Sequence, residues 1–165
     1  MKLSRFIPLT QDKYGELNDC AIVSVTACIL YRLQNNKEYA KCIYKVAEDI
    51  SRELGYNGNS GGIRFDNIKH IYERTLWHFG ISENATRKRF KGIGYSLALI
   101  KAQLDRGNPV ILAANRVYGT SYNHHAVTIV GYDDDNLTIY DNWDIKPHTI
   151  RYSDIDIGAV ITFTK

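Results

Sequence analysis

Residues 21–30 are apolar on nearly every side. Ala21, Ile22, Val23, Val25, Ala27, Cys28, Ile29 and Leu30 leave no stripe for water on a 3.6-residue period. A helix of that kind has to be enclosed. It is also rich in β-branched residues, so tertiary packing rather than intrinsic propensity must hold it. The chain therefore has to build its remaining elements around a helix over roughly residues 18–33, with Asn18 or Asp19 as its cap. With 165 residues it is long enough to do so.

The rest of the pattern divides in two. A second helix is expected near residues 37–54, with Tyr39, Cys42, Ile43, Val46, Ala47, Ile50 and Leu54 on one stripe and Gly55 as its stop. Asn57-Gly58-Asn59-Ser60-Gly61-Gly62 reads as a loop. A third helix follows near residues 66–79, carrying Ile68, Ile71, Tyr72, Leu76 and Phe79. A short fourth one runs from Ser96 to a stop at Gly107. The basic run Arg87-Lys88-Arg89-Phe90-Lys91 between them reads as a solvated surface loop. Beyond residue 108 the period changes. Residues 109–114, 125–132, 137–141, 150–152 and 159–163 read as strands, with Asp133-Asp134-Asp135-Asn136 as a hairpin turn. Helices first and strands second is an α+β pattern. The expectation is one domain over residues 1–165, with a helical half of about 1–107 and a sheet half of about five antiparallel strands from 108.

Composition removes several classes. Apolar residues make up 44% and charged residues 24%, as in a globular chain. The net charge of +3 is no nucleic-acid footprint. No stretch is long and apolar enough to be a membrane span. The three Cys form no CxxC pair, so neither a zinc knuckle nor a disulfide scaffold is expected, and no metal or cofactor is implied. Residues 1–10 carry no signal-peptide core. As written, the chain reads as cytoplasmic, or as secreted had a leader been removed.

The chemistry gathers at Cys20. It stands at the first turn of the buried helix, where free N–H groups and the helix dipole favour an anion and lower a thiol's pKa. Asp19 beside it works weakly against this. Cys28 and Cys42 read as core thiols. A thiol nucleophile needs a base. Of five histidines, His124 and His125 open the strand His125-Ala126-Val127-Thr128-Ile129-Val130-Gly131-Tyr132, and alternation lets only one of them face the helix start. A hairpin through residues 133–136 returns Asp141 close to His125, where it can orient the imidazole. If the register slips by one, Asn142 takes that place.

Asn18-Asp19-Cys20-Ala21, the His125-to-Tyr132 strand and Tyr140-Asp141-Asn142-Trp143 together resemble a papain-like cysteine peptidase. The likeness is to the bacterial branch related to bacteriocin-leader-processing (C39-like) peptidases and to staphopains. Leu104-Asp105-Arg106-Gly107-Asn108-Pro109-Val110 resembles the helix-to-strand entry of that branch. The resemblance spans nearly the whole chain. It implies Cys20 as nucleophile, His125 as general base and acid, and Asp141 as the orienting residue. It implies Gln11 as the side-chain donor of the oxyanion hole, with Asn18 as the fallback. Gly61 and Gly62 are implied as the edge that holds an extended substrate, with Trp143 on the His side of the cleft. Ala21 stands where the family usually has Gly.

The activity implied is hydrolysis of peptide bonds through a thioester acyl-enzyme, on a peptide or protein substrate, without nucleic acid. With no transporter or prosegment segment in the chain, a stand-alone enzyme is expected. The oligomeric state stays open. Two alternatives keep the fold: a cell-wall amidase or acyltransferase using the same three residues, and a non-catalytic binding module.

Overall fold

The apolar segment folds as α1 (Cys20–Arg32), and every residue from position 21 to 30 is buried. A computed structural model of the chain describes residues 1–34, 36–58, 62–91 and 94–163. α1 packs on one side against α2 (Ala40–Glu53) and α3 (Phe65–His78). On the other side it meets strands β2 (Val110–Arg116) and β3 (Asn123–Tyr132). That placement explains its composition: both sides of the helix are walls of the same core. α4 (Gly94–Asp105) packs across the sheet strands. Among the described residues, no helix is long and apolar enough to cross a membrane.

Three further strands flank the central pair: β4 (Asn136–Tyr140), β5 (His148–Arg151) and β6 (Ile157–Phe163). With β1 (Ala85–Lys91) they form one antiparallel sheet in the order β1-β6-β2-β3-β4-β5. The α+β architecture read from the sequence is present, with six strands rather than about five. Residues 110–114 and 126–131 are buried without alternation, so both faces of the central strands are covered.

The sixth strand corrects the reading of the basic run. Residues 85–91 pair with β6 from Ala85↔Phe163 to Lys91↔Ile157 and form a sheet edge, not a loop. Charges on both faces hide the period-2 signal that marks a strand. They suit an edge, where a basic side chain discourages further pairing. Arg87 and Arg89 both reach Asp66 of α3 at 2.8 Å. Cys42 is a second correction: it is exposed, whereas Cys28 is buried. The stripe that α2 turns inward carries Ala40, Ile43, Tyr44, Ala47 and Ile50, and Cys42 lies off it.

Gly131, next to last in β3, is a glycine for a steric reason. The amino-terminal segment runs against it: Leu3 N–H donates to Val130 O at 2.7 Å, and Tyr132 N–H donates to Met1 O at 2.9 Å. A Cβ on Gly131 would lie 2.5 Å from Met1 O, closer than such contacts are found. The β3–β4 register also shifts between Ile129 and Gly131. The shift adds local twist just before the hairpin turn, which Asp133 closes by accepting from Asp135 N–H and Asn136 N–H.

Candidate active site

Sheet register and helix start converge on one corner. β3 pairs with β4 through Thr128↔Tyr140, so the chain leaving β4 at Asp141 and Asn142 runs beside Val127 and Ala126. The Asn142 carboxamide spans the gap to α1. Its Nδ2 lies 3.1 Å from Cys20 O, 2.8 Å from Ser24 Oγ and 2.9 Å from Ala126 O. One buried side chain thus ties the first turn of the central helix to the strand that carries His125. Asn142 adopts φ +68°, a region that Asn tolerates better than most residues. Its carboxamide is a cross-tie and does not hold the imidazole.

Cys20 is the first residue of α1 and is half-buried. Burial pushes its thiol above the ordinary range. The amide N–H groups of Ala126, Ala21 and Cys20 itself pull the other way, and the Asp19 carboxylate adds to the rise. Asp19 occupies the cap position, yet its side chain makes no capping bond; the Tyr44 hydroxyl donates to it at 2.6 Å. Asn18 does not cap either. It sits at φ +54° and donates from Nδ2 to Gly58 O at 2.7 Å.

Of the paired histidines, His125 is buried and His124 is exposed, in a left-handed backbone conformation at φ +46°. His125 Nε2 lies 2.6 Å from the main-chain oxygen of Asp141. A carbonyl can only accept, so Nε2 carries the hydrogen. In the neutral ring the lone pair is then on Nδ1. Burial holds the His125 pKa below its ordinary value, opposed by Asp141 through its carbonyl and its charge. Trp143 stacks on the imidazole at 4.5 Å between ring centroids and Tyr122 at 5.7 Å. These rings shield it from water and fix its plane.

Asp141 is only 2% exposed. Its carboxylate accepts from the Tyr122 hydroxyl at 2.7 Å and from Trp143 N–H at 3.0 Å, and His148 Nε2 lies 3.4 Å away. His148 also bonds Asp144 at 2.9 Å, which helps hold the Asp144 pKa low. Position 141 is therefore where the spacing puts it, but its main-chain carbonyl, not its carboxylate, touches the imidazole. The carboxylate braces the turn that holds that carbonyl in place. Asp141→Asn keeps the carbonyl and an acceptor for Tyr122 and Trp143. It is expected to lower kcat/KM by about tenfold or less, against the roughly 10⁴-fold loss that follows when a carboxylate fixing the tautomer is replaced. Steady-state kinetics on the purified variant separates the two.

Asp141, Asp144 and His148 bring three ligand-type atoms within 4.8 Å of one another. These atoms already bond one another and the neighbouring Tyr122 and Trp143. Sequence reasoning missed His148 and the cross-tie role of Asn142. An Asn next to the orienting residue was the available signal.

Gln11 opens a 3-10 turn (Gln11–Tyr14), and its N–H donates to Asn142 O at 2.8 Å. It therefore belongs to the same corner as Cys20. Its side-chain Oε1 is buried without a partner among the described residues. Gly62 is exposed, and a Cβ there would meet Asn18 O at 3.3 Å, so the loop edge lies against the approach to Cys20. Gly61 lies outside the described residues. Trp143 covers His125 and is itself about half exposed (47%).

An enclosed helix headed by Cys, packed on an antiparallel sheet whose His-bearing strand is tied to the helix start, defines the papain-like class. The chain belongs to the Peptidase_C39 like family, whose model matches residues 4–155. Solved structures share the fold at low identity. A C39-like peptidase assignment from Bacillus anthracis matches with a TM-score of 0.63 at 15% identity, over 99% of this chain and 97% of that one. The peptidase domain of Streptococcus ComA, a bifunctional ABC transporter of a quorum-sensing pathway, matches with 0.58 at 13%, over 96% and 98%. A double-glycine-motif protease from an AMS/PCAT transporter, solved with its leader peptide, matches with 0.51 at 13%, over 98% and 96%. A search of curated proteins finds no match to this sequence.

Proposed function

We propose that this chain is a cysteine peptidase that hydrolyses peptide bonds, with Cys20 as nucleophile and His125 as general base and acid. One observation carries the reading: His125 Nε2 bonds Asp141 O, which leaves the imidazole in the tautomer whose Nδ1 can take a proton, on a strand that Asn142 ties to the first turn of α1. Family membership and shared fold support the same class.

Both pKa directions favour a neutral thiol and a neutral imidazole at rest. Proton transfer is therefore coupled to attack. His125 Nδ1 takes the thiol proton as sulfur bonds to the peptide carbonyl carbon. The oxyanion meets the Cys20 N–H at the start of α1 and the carboxamide of Gln11. A side-chain donor there stabilises it by about 3–4 kcal/mol. The imidazolium gives its proton to the leaving amine, the C–N bond breaks, and a thioester remains. Water, deprotonated by His125, then releases the carboxylate and restores the thiol. Gly62 and Trp143 flank the cleft that takes the extended substrate. Asp141 enters as the orienting residue through its carbonyl.

The test is incubation with a mixed peptide library in H₂¹⁸O, read by mass spectrometry. New carboxyl termini carrying one ¹⁸O are expected, together with iodoacetamide labelling of Cys20. Products carrying an added amine in place of ¹⁸O identify an acyltransferase instead. No cleavage of any peptide, with Cys20 no more reactive than Cys28, overturns the reading in favour of a binding module.

A further inference from the structure

We propose that the cleft at the carboxyl-terminal end of α1 is a second, non-catalytic site that binds a small organic anion with an apolar body. The cleft encloses about 650 Å³, within the range of small-molecule sites. α1 has 13 residues, so at about 1.5 Å per residue the cleft is roughly 20 Å from Cys20.

Its charge selects the ligand's sign. Arg5, Arg32 and Arg106 line it with a single carboxylate, Glu83. Arg32 and Glu83 pair with each other and cancel. Arg5 and Arg106 are exposed, and neither has a side-chain partner among the described residues. Two uncommitted guanidinium groups suit a carboxylate, which each can grip with two donors.

Its floor selects the ligand's body. Cys28, Leu30 and Phe163 are buried and line the cleft. An apolar floor under a cationic rim gains little from a bare inorganic ion. It gains from an aliphatic or aromatic body below the anionic head.

Its wall holds unmet hydrogen-bonding groups. Tyr72 is fully buried, and its hydroxyl has no partner among the described residues. That hydroxyl lies among Arg32, Glu83 and Cys28, and burial keeps it protonated, so it remains a donor. Glu83 Oε2 is a buried acceptor, also without a partner among the described residues. These two groups lie just behind the lining, and an unmet buried polar group costs stability, so a small side-chain shift that brings them to a ligand's polar group next to its carboxylate is favoured. None of these residues touches the catalytic corner, so the proposal stands apart from the peptidase reading.

The probe is 2-hydroxy-4-methylpentanoate, titrated at constant ionic strength into the ¹⁵N-labelled chain and followed by NMR. Saturable shifts are expected at the amides of Arg5, Cys28 and Gly107, with a Kd of about 1 mM or tighter. The neutral amide of the same compound binds at least about tenfold more weakly. The double variant Arg5→Gln, Arg106→Gln weakens binding at least about tenfold. Tyr72→Phe, which keeps the 3.9 Å ring stack on Phe163, weakens it severalfold. Cys20→Ala leaves it unchanged. Shifts that do not saturate, equal binding of the neutral amide, or indifference to the double variant overturn the proposal. So does equal binding of inorganic phosphate, which marks a bare-anion site.

Discussion

Cys20→Ala is expected to lower peptide hydrolysis by at least about 10⁴-fold while the fold and melting temperature stay close to wild type. The loss is large because no other group in the corner can form the thioester. In thiol and hydroxyl enzymes of this design, removing the nucleophile leaves only oxyanion stabilisation and binding. The fold is spared because Cys20 is half-buried at the helix start, not in its interior. The ties that lock the corner run through its main-chain oxygen, which Ala keeps. Cys28→Ala is the matched control. Cys28 is buried near the sheet, and burial pushes its thiol far up, so it contributes nothing as a nucleophile. Progress curves on a cleaved peptide and a thermal melt on each variant check both halves. Undiminished hydrolysis by Cys20→Ala removes the thiol mechanism.

What the sequence disclosed follows how local the physics is. α1 was legible because an all-round apolar helix has one solution, enclosure. The central strands were legible because burial on both faces produces continuous apolar runs. β1 was not, because an edge strand needs no apolar face, and its charges read as a loop. Cys42 was misplaced because a helical stripe drawn from composition is wider than the face that packing selects. At the site, spacing singled out Cys20, His125 and position 141, and the fold brings the segments that carry them to one corner. Spacing could not say which atom of Asp141 meets the ring, since a carbonyl and a carboxylate on one residue lie only a few bonds apart. That choice is made by Tyr122 and Trp143, which draw the carboxylate away from the imidazole. The Asn next to position 141 was the one hint of the cross-tie, and its partners, like the docking of Gln11 on Asn142, depend on where three distant segments meet.

His125→Ala carries the second large effect, and it changes the shape of the pH profile as well as its height. In the wild type the base must be neutral to take the thiol proton. Burial lowers the His125 pKa, so the neutral form persists to more acidic pH than for a free imidazole. The acid limb of kcat/KM is therefore expected below pH about 6.5, the ordinary histidine value. Burial raises the thiol instead, so simple alkylation of Cys20 should climb only toward alkaline pH. Removing the imidazole takes away the coupled proton transfer. The loss is expected at about 10³- to 10⁴-fold near neutral pH. The acid limb disappears with it, and the residual rate rises with pH as hydroxide alone generates thiolate. A preformed thiolate–imidazolium pair behaves differently: alkylation would already be fast well below the free thiol's range, and His125→Ala would slow it sharply at neutral pH. Parallel pH series of kcat/KM and of iodoacetamide alkylation, on wild type and variant, distinguish the two resting states. Retention of the acid limb in His125→Ala would show that another group is the base.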